Sequence, residues 1–262
     1  MPGDETLEVQ INAKAFPAPD GSKRPVLRDV AFSAGMGLIL AFFGPSGMGK
    51  STILRIAAGL DADFEGFVRR PPGRLGMMFQ EPRLAPWLSV ADNIRLVATK
   101  GAPAPDIPGL LEEVGLRGAS ERWPRELSLG MARRVALARA LTVAPDMLVL
   151  DEPFASLDPQ LSAGLAAIVR ARASRMRTLV LLASHELDQA LAIADRILIL
   201  SGEPATLGAD LSVPRGEGAS AIARLRGDLL SRFHFLNVQG NPITTESEVQ
   251  ASVHPAIISD RH

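Results

Sequence analysis

The clearest chemical signal in the sequence is a glycine-rich segment, Gly44-Pro45-Ser46-Gly47-Met48-Gly49-Lys50-Ser51-Thr52. It matches G-x-x-x-x-G-K-[ST], a loop whose backbone N–H groups surround the phosphates of a nucleotide. In such a loop the lysine reaches the β- and γ-phosphates, and the hydroxyl that follows it holds Mg²⁺. We therefore expect the chain to bind a nucleoside triphosphate, with Lys50 on the phosphates and Ser51 on the metal.

A pair of acidic residues, Asp151 and Glu152, forms the second signal. The pair directly follows the continuous apolar run 147–150, so a buried strand would bring both carboxylates to one edge of a sheet. Phosphoryl transfer requires mainly positioning and the neutralisation of charge. Asp151 is the expected Mg²⁺ partner, and Glu152 can orient or activate the attacking water. The alternative is a pair of exposed turn carboxylates without a catalytic role.

Strand and helix patterns alternate along the chain around these residues. Helical patterns are predicted at 50–60 and 159–175, and strand patterns at 7–16, 26–32, 38–43, 147–150, 179–183 and 197–200. This alternation predicts a mainly parallel sheet that is buried on both faces. Ligands of such sheets bind at the carboxyl ends of the strands, which is where Asp151, Glu152 and His185 fall.

The pattern of apolar and polar residues changes between residues 86 and 144, where helical patterns occur without a convincing strand. We expect a helical lobe there, inserted between residues 1–85 and 145–205 of a nucleotide-binding α/β core. A C-terminal helix and a loosely held tail are expected over 206–262, because apolar residues recur at helical spacing near its start. The predicted fold class is α/β: a P-loop NTPase (RecA-like) core with a mainly parallel sheet, an antiparallel β edge and the inserted helical lobe.

Charge and composition argue against several classes of protein. The chain has 28 lysines and arginines against 29 aspartates and glutamates, so its net charge gives no reason to expect a nucleic-acid partner. Cysteine is absent, which excludes disulfides and thiolate metal sites. The first five residues have neither the basic start nor the apolar run of a signal peptide. The uncharged stretch 30–49 contains five glycines and a proline, which does not suit a spanning helix, so action at a membrane would require a partner.

Several segments, taken in order, resemble the ATP-binding subunit of an ABC transporter over residues 7–200, a domain of about 5–205 overall. After the phosphate loop come Gln80-Glu81-Pro82, the signature Leu127-Ser128-Leu129-Gly130-Met131, the strand end Leu148-Val149-Leu150-Asp151-Glu152-Pro153, then Ser156-Leu157-Asp158 and Ser184-His185-Glu186. The segment 79–90 with Asn93, and the Leu-Ser-x-Gly-Met form of the signature, resemble importers of nitrate, sulfonates and taurine.

The resemblance implies roles for residues within one chain. Gln80 would contact Mg²⁺ or the lytic water, so that Ser51, Gln80 and Asp151 form the metal site. His185 would touch the γ-phosphate and share catalysis with Glu152 and Gln80. The ATP-binding residues would be the whole loop 44–52 together with Phe16, which would stack on adenine. The alternative for Phe16 is ordinary core packing.

The resemblance also implies an assembly. Ser128 is a good N-cap for a helix through residues 133–140, and the alternative reading is a capped helix and nothing more. In the family, Ser128 and Gly130 would face the nucleotide held by a second cassette, and Asp158 would organise the contact between the two. The chain would be the ATPase motor of an importer, a homodimer at the cytoplasmic face of the inner or plasma membrane. Its partners would be a membrane permease and, indirectly, a solute-binding protein.

Three features depart from the family pattern and keep other functions open. Leu129 replaces the first glycine of the usual signature, Glu186 stands where Asp is usual, and a tail follows the cassette. A branched residue at 129 could crowd the phosphate-facing loop or restrict its backbone, which would leave an ATP-binding scaffold with impaired turnover. Further alternatives are a soluble ABC ATPase acting on DNA or ribosomes, and another P-loop class such as a GTPase or kinase. A GTPase should contain N-K-x-D, and this sequence does not.

Overall fold

The computed structural model describes residues 5–98, 104–155 and 157–233. Its strands are β1 (Thr6–Pro17), β2 (Lys23–Gly35), β3 (Ile39–Phe43), β4 (Glu65–Arg69), β5 (Leu75–Met78), β6 (Met147–Asp151), β7 (Leu179–Ser184), β8 (Arg196–Ser201) and β9 (Thr206–Ser212). Its helices are α1 (Lys50–Ala58), α2 (Val90–Arg95), α3 (Ile107–Glu113), α4 (Leu129–Thr142), α5 (Pro159–Met176), α6 (Leu187–Ile193) and α7 (Ala219–Arg232). Two short 3-10 turns lie at Pro124–Glu126 and Arg215–Glu217.

The main sheet has six strands in the order β5-β6-β7-β3-β8-β9, all parallel except β9, which runs antiparallel to β8 at one edge. A smaller antiparallel sheet has the order β2-β1-β4. Strands β3, β6 and β7 are buried along their whole length, as expected for parallel strands that are covered on both faces. The predicted mainly parallel sheet and the antiparallel β edge are confirmed.

Alternating side chains of β3 enter two different cores. Ile39, Ala41 and Phe43 pack with α2 to α6, whereas Leu40 and Phe42 pack with α1 and the antiparallel sheet. Fixing β3 between these two layers fixes the loop that follows it. The pairing also aligns the strand ends, since Phe43 lies opposite Ser184 and Asp151 lies opposite Ala183. The residues that follow β3, β6 and β7 therefore meet at one edge of the sheet.

The residues between β5 and β6 form α2, α3, a 3-10 turn and α4, and the described part of this stretch contains no strand. Helix α4 packs against the main sheet and against α2, which joins the helical segment to the core. Among the helices within 5–98, 104–155 and 157–233, none is both long and apolar enough to cross a membrane.

Three strands of the structure were not predicted from the sequence pattern. Strand β4 is mostly exposed, and β5 has only four residues, one of them glycine, so neither shows a clear apolar signal. Strand β9 corrects the expectation that a helix and tail begin at residue 206, because residues 206–212 extend the main sheet by pairing with β8. Its alternating, half-exposed residues have no continuous apolar run. Helix α7 follows as expected, and the predicted tail from residue 237 lies outside the described residues.

Candidate active site

The glycine-rich loop joins the end of β3 to the start of α1, the strand–loop–helix arrangement that the phosphate-loop motif requires. Gly47 and Gly49 adopt left-handed backbone angles, with φ of 85° and 82°. The left-handed angle at Gly49 favours glycine, and a Cβ there would also crowd Leu27 Cδ2 at 2.6 Å. No side chain caps the start of α1, which leaves its first N–H groups available to an anion.

Lys50 is a buried lysine whose ammonium lies inside this loop. Its Nζ donates to Gly44 O at 2.7 Å and to Pro45 O at 2.9 Å, and lies 3.7 Å from Glu152 Oε1. Burial lowers the pKa of Lys50, while the neighbouring carboxylates of Glu152 and Asp151 oppose that shift. The loop therefore holds a buried positive charge where the motif places phosphates.

Ser51 and Asp151 form a pair next to that charge. Ser51 Oγ donates to Asp151 Oδ1 at 2.9 Å, and the Asp151 carboxyl is buried. Burial raises the pKa of Asp151, and the hydrogen bond from Ser51 opposes the shift. Mg²⁺ commonly takes one or two carboxylates together with substrate phosphates and waters. The hydroxyl and carboxylate side by side fit that donor set.

Gln80 is not joined to this pair. It lies two residues beyond β5, and its exposed side chain forms no hydrogen bond with Ser51 or Asp151. Of the three residues expected to bind the metal, Ser51 and Asp151 are therefore already adjacent in this conformation, whereas Gln80 lies apart from them.

Glu152 and His185 face each other across the ends of β6 and β7. His185 Nδ1 lies 2.5 Å from Glu152 Oε2, and the Glu152 carboxylate is buried between this ring and Lys50. The Glu152 backbone has a φ of 53°, a left-handed conformation that is unusual for a residue with a side chain. Such outliers concentrate at functional sites because only a tightly determined surrounding maintains them.

Phe16 lies beside the loop rather than in the core. Its ring is 38% exposed and lines a cleft of about 930 Å³ together with Met48, Thr52 and the β8–β9 turn 202–205. The ammonium of Lys14 lies 4.7 Å from the ring centroid, and that lysine is itself fixed by an ion pair with Asp61 at 2.9 Å. The position suits a platform for a flat ring next to the phosphates.

The signature residues lie at the start of α4. Ser128 caps this helix, its Oγ accepting from Met131 N at 3.2 Å. Leu129 is the first helical residue, and its side chain is 54% exposed. The backbone of Leu129 does not have a left-handed conformation, so its branched side chain does not strain the backbone. A Cβ on Gly130 would lie 3.1 Å from Leu157 Cδ2, which places the signature next to Asp158, the N-cap of α5.

Two arginines of α4 contact the site, and the sequence pattern did not reveal them. Arg133 donates to the backbone carbonyls of Glu152 and Ala155. Arg139 donates to Pro82 O at 2.8 Å and to Arg83 O at 2.9 Å, just after Gln80. No motif marks either residue, because their partners are backbone atoms that only the folded chain brings near.

Comparison with known proteins identifies the chain's relatives. The family model described as ABC transporter matches residues 27–155. The aliphatic sulfonates import ATP-binding protein SsuB 2 of Burkholderia lata is 40% identical over 242 residues, covering 88% of this chain and 87% of that protein. The protein of the same name from Pseudomonas syringae pv. tomato is 40% identical over 232 residues, covering 87% of this chain and 98% of that protein.

Solved structures support the fold independently. A dimeric ATP-binding cassette in a post-hydrolysis state, bound to ADP and Pi, superposes with a TM-score of 0.72 at 22% identity and covers 79% of this chain and 98% of its own. A dimeric bacterial ABC transporter cassette superposes with a TM-score of 0.70 at 22% identity, with the same coverage. The P-loop α/β class predicted from the sequence is confirmed.

Proposed function

The chain belongs to the ABC transporter family as an ATP-binding cassette, and on that premise we propose that it is the ATP-hydrolysing motor subunit of an importer. One observation carries the proposal most directly. Lys50, Ser51, Asp151, Glu152 and His185 converge beside the glycine-rich loop, at the carboxyl edge of the parallel sheet. These are the side chains that phosphoryl transfer from ATP to water requires, arranged in one connected cluster.

Residues 44–52 bind the triphosphate of ATP in this proposal, through the free N–H groups at the start of α1 and the Lys50 ammonium. Phe16 stacks on adenine. Ser51 and Asp151, joined by Gln80 when the nucleotide is present, would hold Mg²⁺, which when bound offsets the charge of the phosphate oxygens. Burial of the Asp151 carboxyl makes a cation the natural partner for its ionised form, since an unpaired buried charge is unfavourable.

Glu152 is the general base. Its carboxylate accepts the proton of the attacking water, and it is restrained by His185 on one side and Lys50 on the other. Since the Nδ1 of His185 lies against Glu152, this nitrogen donates to the ionised carboxylate and fixes the ring. His185 then serves both to orient Glu152 and to present its other edge to the γ-phosphate.

Two copies complete the site. The start of α4, capped by Ser128, has free N–H groups and partial positive charge, which suit the γ-phosphate held by a second cassette. The dimeric state of the superposed cassettes supports this arrangement. Ser128 and Gly130 act in trans, and Asp158, next to them in the same chain, organises the contact between the two copies.

Leu129 favours a second candidate function, an ATP-binding scaffold with impaired turnover. Since its backbone is unstrained, the remaining effect is steric: an exposed branched side chain stands where the partner's phosphate would approach. We expect Leu129→Gly to raise kcat of the assembled transporter by about fivefold, equivalent to about 1 kcal/mol of barrier. Steady-state phosphate release measures this, with Leu129→Ala as an intermediate control. A parent that shows no hydrolysis and a variant that does would favour the scaffold.

The permease contact is proposed at the loop 83–88 before α2, where Trp87 is 73% exposed. Asn93, fully buried on α2, fastens this loop. Its Oδ1 accepts from Ala85 N at 2.7 Å, and its Nδ2 donates to Ala85 O at 3.2 Å, Leu88 O at 3.1 Å and Ser89 O at 3.0 Å. An exposed aromatic on a rigid loop is a suitable anchor for a short helix of a membrane subunit.

We expect Asn93→Ala to lower the free energy of unfolding by about 2–3 kcal/mol, because several buried backbone groups lose their partner. The same change should weaken stimulation of ATP turnover by the permease, since the loop no longer holds Trp87 in place. Denaturant unfolding and the ratio of permease-stimulated to basal hydrolysis measure the two effects. Asn12→Ala, on the exposed part of β1, serves as the control. Unchanged stability would contradict the role given to Asn93.

The cargo proposed is an aliphatic sulfonate or a similar small anion, by analogy with the named relatives. The chain would sit at the cytoplasmic face of the inner or plasma membrane, bound to its permease, with a solute-binding protein as an indirect partner. The test is uptake of labelled alkanesulfonate, taurine and nitrate by the host with and without the gene, together with capture of the tagged chain. Loss of sulfonate uptake and recovery of a permease support the proposal. Unchanged uptake of all three and no membrane partner would refute the importer.

A further inference from the structure

A buried arginine on α4, Arg133, contacts the turn that carries Glu152. Its Nη1 donates to Glu152 O at 3.5 Å and also to Ala155 O. The residue is only 8% exposed. Its Nε is buried and has no hydrogen-bond partner among the residues that the structure describes. A guanidinium is therefore held in the interior against two backbone carbonyls, with part of its donor capacity unused.

The contacted turn is a strained one. Glu152 has a φ of 53°, its N–H donates to Ala183 O at 3.2 Å, and its carbonyl accepts from Ala155 N at 3.4 Å. Arg133 donates to the first and the last carbonyl of residues 152–155, so its guanidinium bridges the two ends of this turn. Because the backbone at residue 152 sets the direction of its Cα–Cβ bond, the same contact sets where the Glu152 carboxylate meets His185.

A second arginine of the same helix contacts another left-handed residue that is not glycine. Arg139 of α4 donates to Arg83 O at 2.9 Å, and Arg83 is also a left-handed non-glycine residue, with a φ of 48°. One helix thus holds the carbonyls of two left-handed residues other than glycine, one in the turn of Glu152 and one in the loop after Gln80. Since both contacts come from α4, the conformation of both segments depends on the position of this helix.

We propose that Arg133 is a positioning residue for ATP hydrolysis, because it couples the orientation of the Glu152 side chain to the position of helix α4. This rests on the proposed function, in which the first residues of α4 face the partner's ATP. A buried guanidinium with an unpartnered nitrogen is unfavourable for stability alone. The charge-assisted bonds to the turn are the use that the geometry gives it. A cassette whose α4 is displaced would then lose the productive position of its own Glu152.

The test compares Arg133→Met, Arg133→Lys and a matched control, Arg215→Met, in the assembled transporter. Arg215 is also a partly buried guanidinium whose Nε donates to a backbone carbonyl, Ala194 O at 2.9 Å, but it lies away from the site. Rates are normalised to the number of nucleotide-binding sites. We expect Arg133→Met to lower kcat by about 10²-fold, the size of effect that follows a misplacement of about 1 Å, with KM unchanged. Arg133→Lys should lose about threefold to tenfold, and Arg215→Met should keep the parental kcat.

A second measurement separates positioning from a general structural role. If Arg133 acts through Glu152, then adding Arg133→Met to Glu152→Gln should not lower single-turnover hydrolysis further. Independent, multiplying losses would overturn the inference, as would parental kcat in Arg133→Met. If Arg133→Met does not fold, parental kcat in Arg133→Lys overturns it instead. Absence of hydrolysis in the parent would count against the proposed function, which is a different result from a parent that is active and insensitive to Arg133.

Discussion

Replacing Glu152 with glutamine is expected to lower steady-state ATP turnover by at least about 10²-fold, the usual contribution of a positioned general base. The amide keeps the size of the side chain and its contact with His185 but cannot accept a proton from water. ATP affinity should stay within about threefold, because Lys50 and the loop N–H groups remain in place. Phosphate release and calorimetric titration with ATP measure the two quantities.

The matched control is Glu217→Gln, which changes an exposed carboxylate in the 3-10 turn before α7 and should leave turnover unchanged. A Glu152→Gln chain that hydrolyses ATP at the parental rate would remove Glu152 from the base position. The water would then have to be activated by another group.

Replacing Lys50 with methionine is expected to abolish measurable hydrolysis, a loss of about 10²- to 10³-fold or more for a charge aimed at the transition state. Methionine keeps an unbranched stem in the loop but removes the donor to Gly44 O and Pro45 O and the charge near Glu152. ATP binding should weaken as well, since the triphosphate loses its buried cation.

The fold of the Lys50→Met chain should be intact without nucleotide. Burial lowers the pKa of Lys50 and so disfavours its charged form, which offsets the loss of the bonds to Gly44 O and Pro45 O, and the melting temperature should change little. Thermal unfolding without ligand separates this result from misfolding. A large drop in melting temperature would mean that Lys50 mainly supports the fold, contrary to the role proposed here.

The part of the fold that positions the site was predictable because its strands have a plain apolar signal. Strand β3 is apolar throughout, and β6 and β7 are continuous apolar runs up to their last residues, Asp151 and Ser184. Apolar strands that alternate with helices indicate a parallel sheet, and parallel pairing brings the strand ends together. That is why the meeting of Asp151, Glu152 and His185 near the phosphate loop follows from the pattern alone.

What the sequence did not reveal depends on contacts rather than on composition. Strand β9 is half-exposed and gains its structure by pairing with β8, so no periodicity announces it. Arg133 reaches carbonyls 19 and 22 residues away, and nothing in a helical arginine indicates such partners. At Leu129 the sequence instead suggested a problem that the fold does not have. A branched residue was expected to restrict the backbone there, but Leu129 is the first residue of a helix, where it does not.

Two copies of this chain are proposed to close around ATP, each supplying Ser128 and Gly130 to the nucleotide of the other. Light scattering on the isolated Glu152→Gln chain with ATP and Mg²⁺ detects this pairing, because the variant binds ATP without consuming it. The proposal predicts a stable cassette pair with ATP that separates when ADP replaces it. Glu152→Gln cassettes that remain unpaired at saturating ATP and Mg²⁺ would rule out this closure.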